Sequence, residues 1–352
     1  MVDVYFATNR DSVKDKGKHF GERFHAQGPM FFRVGVAQVE KVSDHVDDGY
    51  EVKKVEVFSE EATKEEEKFV GSTKVFADLR KQMLKDKHDV VVLIHGFANT
   101  FVNSLQRGAQ IAQSYLIEPR DGNGLPIPGA KPYEPHVVVF SWPSNGRVFP
   151  PWEYHDDRQD AAASGFAVAR FMRRLVEFMK DTDGKCEQRI HLVAHSMGNW
   201  ALRNAVQAMR GLIDHAKFPT LFTNAFLMAA DEDDDTFEQE HKLSMLPELA
   251  RSIHVYHSRG DRALVISDTT KFNPDRLGSG GPKTFSGLSN RIVAIDCTNC
   301  DSTQFDHGNH QYYRIRPEVI ADVRAVLSGR FLPDQIPGRT VVESGRRYRI
   351  GK

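Results

Sequence analysis

Cysteine is scarce in this sequence of 352 residues, which contains only Cys186, Cys297 and Cys300. Three thiols are too few for the disulfide framework of a small secreted domain, and they fit a reducing compartment. Neither sign of charge is in excess, because 47 Lys and Arg residues accompany 48 Asp and Glu residues, for a formal net charge of −1. This balance argues against nucleic acid as the main partner, since phosphate neutralisation requires clustered positive charge.

Long hydrophobic runs are also absent. No apolar run approaches the roughly 20 residues of a membrane-spanning helix. The N-terminal residues 1–4 do not begin a basic segment followed by an apolar stretch, which is the pattern of a secretory signal. We therefore expect a cytoplasmic protein without a membrane span. The length is sufficient for a sizeable core, and we predict one domain over residues 1–352.

From residue 89 onward, apolar runs alternate with amphipathic segments. Strands are predicted at Asp89–His95, His136–Trp142, 189–194, 221–229, 252–257 and 291–296. Helices are predicted at Phe101–Leu116, His155–Met179, 197–210, 238–250, 262–269 and 317–328. Strands without polar alternation, separated by helices, are typical of a parallel sheet covered on both faces. This pattern predicts an α/β fold with its catalytic core at residues 89–330, and ligands of such sheets bind at the carboxyl ends of the strands.

Residues 1–88 have a different pattern. Phe31–Val42 and Tyr50–Phe58 show alternating character, and Asp44–Gly49 between them contains turn residues, so that the three segments predict a hairpin. We expect this region to extend the sheet with antiparallel strands. Residues 331–352 are expected to form a C-terminal tail.

Ser196 is the candidate nucleophile. It lies between a predicted strand and a predicted helix, with the small residues Ala194 and Gly198 two positions before and after it. A serine on a tight strand–turn–helix connection is the nucleophile elbow of hydrolases, and the tightness of the turn requires small residues at those positions. The alternative interpretation is an ordinary helix N-cap. The residues that accompany Ser196 elsewhere in the chain favour the nucleophile.

A nucleophilic serine requires a base that takes its proton and an acid that orients the base. Hydrolases with this type of sheet carry these groups in the chain order Ser, Asp or Glu, His. Asp261 follows one predicted strand in a tight turn, and we favour it as the acid over Asp231, which follows the preceding strand. His307 and His310 compete as the base, because both lie in the loop after the last predicted core strand.

The oxyanion of the reaction requires backbone N–H donors. One donor is expected from Phe97, in the loop after the first core strand, and the other from Met197, which follows the nucleophile. His95 is expected to brace the first of these loops and not to act as the base, because it follows an early strand. The spacing of the remaining histidines indicates no metal site, and we expect neither a metal nor an organic cofactor.

Several longer motifs accompany these residues. They are Phe6-Ala7-Thr8-Asn9-Arg10, Ile94-His95-Gly96-Phe97 with Asn99 after it, Phe140-Ser141-Trp142-Pro143-Ser144, Leu192-Val193-Ala194-His195-Ser196-Met197-Gly198-Asn199, and Asp261-Arg262-Ala263-Leu264. With a final motif near residue 310, they resemble the α/β-hydrolase superfamily and, within it, the bacterial family DUF900. The resemblance implies Ser196 as nucleophile and Asp261 as acid. The family's final motif, Gly-His-x-Tyr-Tyr, corresponds to residues 309–313, so the resemblance favours His310 as base, with Asn309 in place of the family's glycine.

These observations predict a serine hydrolase of the carboxylesterase or lipase type. Ser196, His310 and Asp261 would cleave a carboxylic ester through an acyl-enzyme. The expected partner is a small-molecule ester, in a pocket bordered by the Pro- and Gly-rich loops Glu118–Pro135 and Asn273–Gly287. One alternative is acyl transfer to an alcohol or amine by the same triad. The other is a binding or scaffold protein on a hydrolase fold, because fold alone does not establish function.

Overall fold

The computed structural model describes residues 1–14, 19–58, 70–122, 125–149, 152–181, 187–212, 219–264, 275–300, 308–343 and 345–352. The strands in these ranges are β1 (Val2–Thr8), β2 (Arg10–Ser12), β3 (Phe20–Phe24), β4 (Arg33–Lys41), β5 (Tyr50–Phe58), β6 (Val90–Ile94), β7 (His136–Ser141), β8 (Ile190–His195), β9 (Phe222–Met228), β10 (Ala250–His257), β11 (Ile292–Asn299), β12 (Thr340–Glu343) and β13 (Arg347–Gly351). The helices are α1 (Val70–Asp86), α2 (Phe101–Ser114), α3 (Trp152–Asp181), α4 (Gly198–Leu212), α5 (Leu246–Leu249), α6 (Leu277–Gly280), α7 (Tyr312–Ile315) and α8 (Pro317–Ser328).

One large sheet organises the described residues. Its strand order is β12-β13-β11-β10-β9-β8-β6-β7-β1-β4-β5, and β2 pairs separately with β3. The strands from β13 to β1 in this order run parallel. At one edge β4 pairs antiparallel with both β1 and β5, and at the other edge β12 pairs antiparallel with β13. The predicted α/β fold with N-terminal antiparallel strands is therefore confirmed.

The central strands are buried on both faces. All five residues of β6, Val-Val-Val-Leu-Ile, are buried. Because side chains alternate across a strand, Val92 belongs to the core on the side of α1, α3 and α4, whereas Val91 belongs to the core on the side of α2 and α8. Two apolar layers therefore enclose the sheet, as the unbroken apolar strands predict.

Several elements differ from the sequence analysis, among them α1, a helix that was not predicted within residues 1–88. β1 was not predicted, yet it lies between β7 and β4 as the link between the parallel strands and the N-terminal hairpin. The helix predicted near residues 238–250 is wrong, since only Leu246–Leu249 is helical. In the preceding segment, Lys242 forms ion pairs with Asp233 and Asp235, and the Leu243 N–H donates to the Thr236 carbonyl. These contacts stabilise turns in place of a helix.

The C-terminal segment is more regular than predicted, and part of one predicted helix lies outside the described ranges. The segment predicted as a C-terminal tail contains β12 and β13, which pair at the sheet edge. Residues 265–269 of the helix predicted near 262–269 lie outside the described residues. Among the described helices, none combines the length and the apolar character that a bilayer crossing requires.

Candidate functional site

Ser196 lies on the tight turn between β8 and α4. Its φ angle is +52°, in the left-handed region that non-glycine residues seldom adopt. The turn is close to the neighbouring strand, because a Cβ atom added to Gly198 would lie 2.3 Å from the Ile94 carbonyl oxygen. The Ser196 N–H donates to the Met228 carbonyl at 2.9 Å, which fixes the turn against the end of β9. This is the strained strand–turn–helix geometry that the small residues around Ser196 predict.

His310 and Asp261 are brought together at the ends of other segments. His310 Nδ1 donates to Asp261 Oδ2 at 2.7 Å, and the carboxylate is completely buried. The other carboxylate oxygen accepts from the N–H groups of Ala263 and Leu264, at 3.1 and 3.2 Å. Asp261 is thus held by its own turn while one oxygen faces the imidazole. An imidazole held in this way presents Nε2 as its proton acceptor.

The loops that carry these two residues are joined by further hydrogen bonds. The Arg262 N–H donates to the Gly308 carbonyl at 2.8 Å, and Asn309 Nδ2 donates to the Gly260 carbonyl at 3.0 Å. Asn309 itself has a φ of +65°. A positive φ angle suits the glycine of the Gly-His-x-Tyr-Tyr motif that this segment resembles. Asparagine is tolerated in its place, because it adopts this conformation more readily than most residues.

His195 connects the His310 loop to the nucleophile turn. Its Nε2 donates to the His310 carbonyl at 3.0 Å, and its ring stacks on Tyr313 with 4.4 Å between centroids. Burial lowers the pKa of His195 well below its ordinary value, so the ring is neutral. The residue directly before Ser196 therefore packs against the segment that carries His310.

The two expected oxyanion donors lie on neighbouring turns. Gly96 permits their approach, because a Cβ atom there would be 2.9 Å from Ser196 Cβ. Within the described part of the chain, the N–H groups of Phe97 and Met197 have no hydrogen-bond partner. Met197 also directly precedes α4, where the helix dipole favours negative charge. Both N–H groups are thus available to an anion.

Arg10 is the last residue of the motif Phe6-Ala7-Thr8-Asn9-Arg10, and the sequence alone predicts no role for it. This side chain is fully buried and donates to the carbonyls of Asn99 at 2.8 Å and Ser144 at 2.9 Å. Burial lowers its pKa to about 9, against the opposing effect of the Asp157 carboxylate. Arg10 thereby joins the loop after β6 to the loop after β7. A buried arginine could not have been recognised without the sheet order that brings β1 beside β7.

His95 braces the same loop. Its ring stacks on Trp142 at 4.9 Å and 9°, and Trp142 Nε1 donates to the His95 carbonyl at 2.8 Å. Burial lowers the pKa of His95 to about 3, with a further contribution from the charge of Arg10. This ring is neutral at physiological pH.

The alternative acid has other partners. Asp231 is buried and accepts from the Tyr154 hydroxyl at 2.5 Å, and it forms ion pairs with Arg158 at 3.4 Å and Arg276 at 3.5 Å. Its environment is that of a carboxylate neutralised by arginine. The alternative base, His307, lies outside the described residues.

The comparisons with known proteins agree with this architecture. No protein with a curated description matches the chain. The model of one family, described as an alpha/beta hydrolase of unknown function (DUF900), matches residues 72–330, which include all five candidate site residues from Phe97 to His310. This range covers most of the chain and includes the six strands that follow one another in the sequence from β6 to β11. The chain therefore belongs to the DUF900 family of α/β hydrolases.

Proposed function

We propose that this protein is a serine hydrolase that cleaves carboxylic esters, with Ser196 as nucleophile, His310 as base and Asp261 as acid. The observation that carries the proposal is the 2.7 Å hydrogen bond between His310 and the buried Asp261. It is supported by the left-handed backbone of Ser196 on a strand–turn–helix connection. The family name supports hydrolysis in general and leaves the substrate open.

In the proposed reaction, Ser196 Oγ attacks the ester carbonyl carbon while His310 Nε2 takes the hydroxyl proton. Asp261 accepts the Nδ1–H hydrogen bond, which holds the tautomer and stabilises the imidazolium. The carbonyl oxygen becomes the oxyanion and accepts from the N–H groups of Phe97 and Met197. When the tetrahedral intermediate collapses, the alcohol leaves with the proton from His310. Water, deprotonated by His310, then attacks the acyl-enzyme. Collapse of the second tetrahedral intermediate releases the carboxylic acid, and His310 returns its proton to Ser196 Oγ.

The proposed substrate is a small-molecule ester. The half-buried ring of Phe97 packs edge-on against Tyr154, with 5.8 Å between centroids, and provides an apolar surface beside the proposed oxyanion donors. We also propose that the protein acts in the cytoplasm, with the scarcity of cysteine as the supporting observation. Cell fractionation followed by immunodetection tests this location.

The direct test is labelling with a fluorophosphonate probe, which reacts with activated serines. We expect the wild type to be labelled, and Ser196→Ala and His310→Ala to lose labelling and the hydrolysis of p-nitrophenyl acetate. His307→Ala is the matched control, since it removes the neighbouring candidate histidine, and it should keep both. Labelling that persists in Ser196→Ala would contradict the proposed nucleophile. Loss in His307→Ala but not in His310→Ala would contradict the proposed base.

A further inference from the structure

Three potential metal ligands converge at the edge of the sheet where the parallel strands begin. Asp86, His88 and His136 each offer one ligand atom, and these atoms all lie within 4.8 Å of one another. Asp86 ends α1, His88 lies in the connection to β6, and His136 begins β7. We infer that Asp86, His88 and His136 form a binding site for a divalent transition-metal ion such as Zn²⁺.

The first support is an unused nitrogen that faces the carboxylate. His136 Nε2 is buried and has no hydrogen-bond partner among the described residues. It lies 4.0 Å from Asp86 Oδ2, which is too far for a hydrogen bond. Two ligands about 2.1 Å from a tetrahedral zinc ion are roughly 3.4 Å apart. The observed gap is therefore slightly wider than a metal requires, and small side-chain rotations would close it.

The backbone around the ligands is fixed by the fold. Lys87 has a φ of +59°, and its N–H donates to the Met83 carbonyl at 2.8 Å, so that α1 ends sharply and the chain turns at His88. The His136 N–H donates to the Asp89 carbonyl at 2.9 Å, which joins the two ligand segments. The His88 ring packs against Tyr133 with 5.3 Å between centroids. A site on such fixed segments loses little conformational freedom when it binds an ion.

The donor set and the local charge select the type of ion. Two imidazoles and one carboxylate suit zinc and the neighbouring late transition metals, whereas magnesium and calcium prefer oxygen ligands. The Asp86 carboxylate places a negative charge beside the two imidazoles, which favours a cation at this position. Three protein ligands leave a fourth position for water.

The position of the site separates it from ester hydrolysis. Ser196 follows the carboxyl end of β8, whereas His136 is at the amino end of β7, and both strands run parallel to β6. The ion would join the end of α1 to the sheet, so its expected effect is on stability. This inference is therefore independent of the proposed function.

The test uses the full chain without an affinity tag, freed of metal with a chelator and titrated calorimetrically with Zn²⁺. We expect one ion per chain and a higher melting temperature with Zn²⁺. Asp86→Asn, His88→Asn and His136→Asn should each lower the affinity at least roughly tenfold, because even changes around metal ligands have effects of this size. The exposed His241 provides the matched control, and His241→Asn should bind as the wild type does.

Two further measurements test whether the ion occupies the proposed site and whether the ligand variants are folded. Co²⁺ in place of Zn²⁺ should give the visible absorption of a four-coordinate site, and this absorption should be lost in His136→Asn. Circular dichroism and p-nitrophenyl acetate hydrolysis of the ligand variants should match the wild type and show that they are folded. The inference is overturned if the wild type binds no more Zn²⁺ than the three ligand variants, or if His241→Asn lowers the affinity equally.

Discussion

At the scale of single residues, Asp261 and Asp231 differ in their partners and not in their burial. Each is about 1% exposed, and each follows the end of a strand. Asp261 accepts from an imidazole, whereas Asp231 accepts from a tyrosine and from Arg158, and it forms an ion pair with Arg276. The sequence justified a preference for Asp261 from chain order, but only the structure gives the partners.

This difference in partners predicts that substitution of each aspartate by asparagine has a different effect. Asp261→Asn should lower kcat for p-nitrophenyl acetate by about 10⁴-fold, because an asparagine holds the wrong histidine tautomer. Asp231→Asn should retain most of kcat and instead lower the free energy of unfolding, since it removes the carboxylate charge that faces Arg158 and Arg276. Steady-state kinetics and urea unfolding of both variants measure the two effects. A loss of kcat in Asp231→Asn alone would reverse the assignment of the acid.

Asn309 provides a second residue-scale prediction. Asn309→Gly and Asn309→Val both remove the hydrogen bonds to Gly260 and from Arg316, so they differ mainly in their tolerance of the +65° φ angle. We expect Asn309→Val to be less stable than Asn309→Gly by about 1–3 kcal/mol, the usual cost of such strain. It should also be the slower esterase, because the strain lies next to His310. Equal stability in urea unfolding would show that the backbone conformation is not maintained.

At the scale of elements, the closeness of α4 to β6 can be tested through two glycines of the same helix. Gly198→Ala places a Cβ atom 2.3 Å from the Ile94 carbonyl, so the turn or the strand must shift. We expect a loss of about 1–3 kcal/mol of stability, as in other overpacked sites, and a marked loss of esterase activity. Gly211 lies near the end of α4 with open space around it.

Gly211→Ala is the matched control for that change. It should keep full activity and gain up to about 1 kcal/mol, because alanine favours the helix over glycine. Thermal unfolding and kcat/KM of the two variants give the comparison. An active and stable Gly198→Ala variant would contradict the close contact at the elbow.

The elements that were predicted from sequence share a physical property. β6, β8 and the hairpin β4–β5 carry either unbroken or alternating apolar character, which is a local signal. β1 has a similar composition, but its place between β7 and β4 depends on partners at least 25 residues away. The helix predicted near residues 238–250 is reduced to the short α5 for a similar reason, because the ion pairs of Lys242 override the local helical pattern. Likewise, the proposed metal ligands come from two segments that lie far apart in the sequence, so their spacing along the chain gave no signal.

At the scale of the whole molecule, buried histidines determine how stability responds to acid. Within the described residues, burial is the main cause that lowers the pKa values of His95, His191, His195, His254 and His257. In the unfolded chain these groups titrate near 6.5. Below that pH the unfolded state binds more protons than the folded state, so the free energy of unfolding falls as the pH falls. Burial raises the pKa of Glu232 and Asp160 to about 7 and that of Asp157 to about 6, and it raises the pKa of Asp234 as well. These carboxyl groups give the opposite slope.

Because the buried histidines with a lowered pKa outnumber the carboxyl groups with a raised pKa, we expect a net loss of stability from pH 7 to pH 5. Each histidine contributes up to about 1.4 kcal/mol per pH unit. His254 stacks on Phe226 at 5.3 Å, so His254→Phe retains an aromatic ring there but removes a titrating group. Urea unfolding of the wild type and of His254→Phe in the presence of a chelator should show a shallower pH slope for the variant. An identical slope in His254→Phe and the wild type would mean that His254 is not kept neutral by burial.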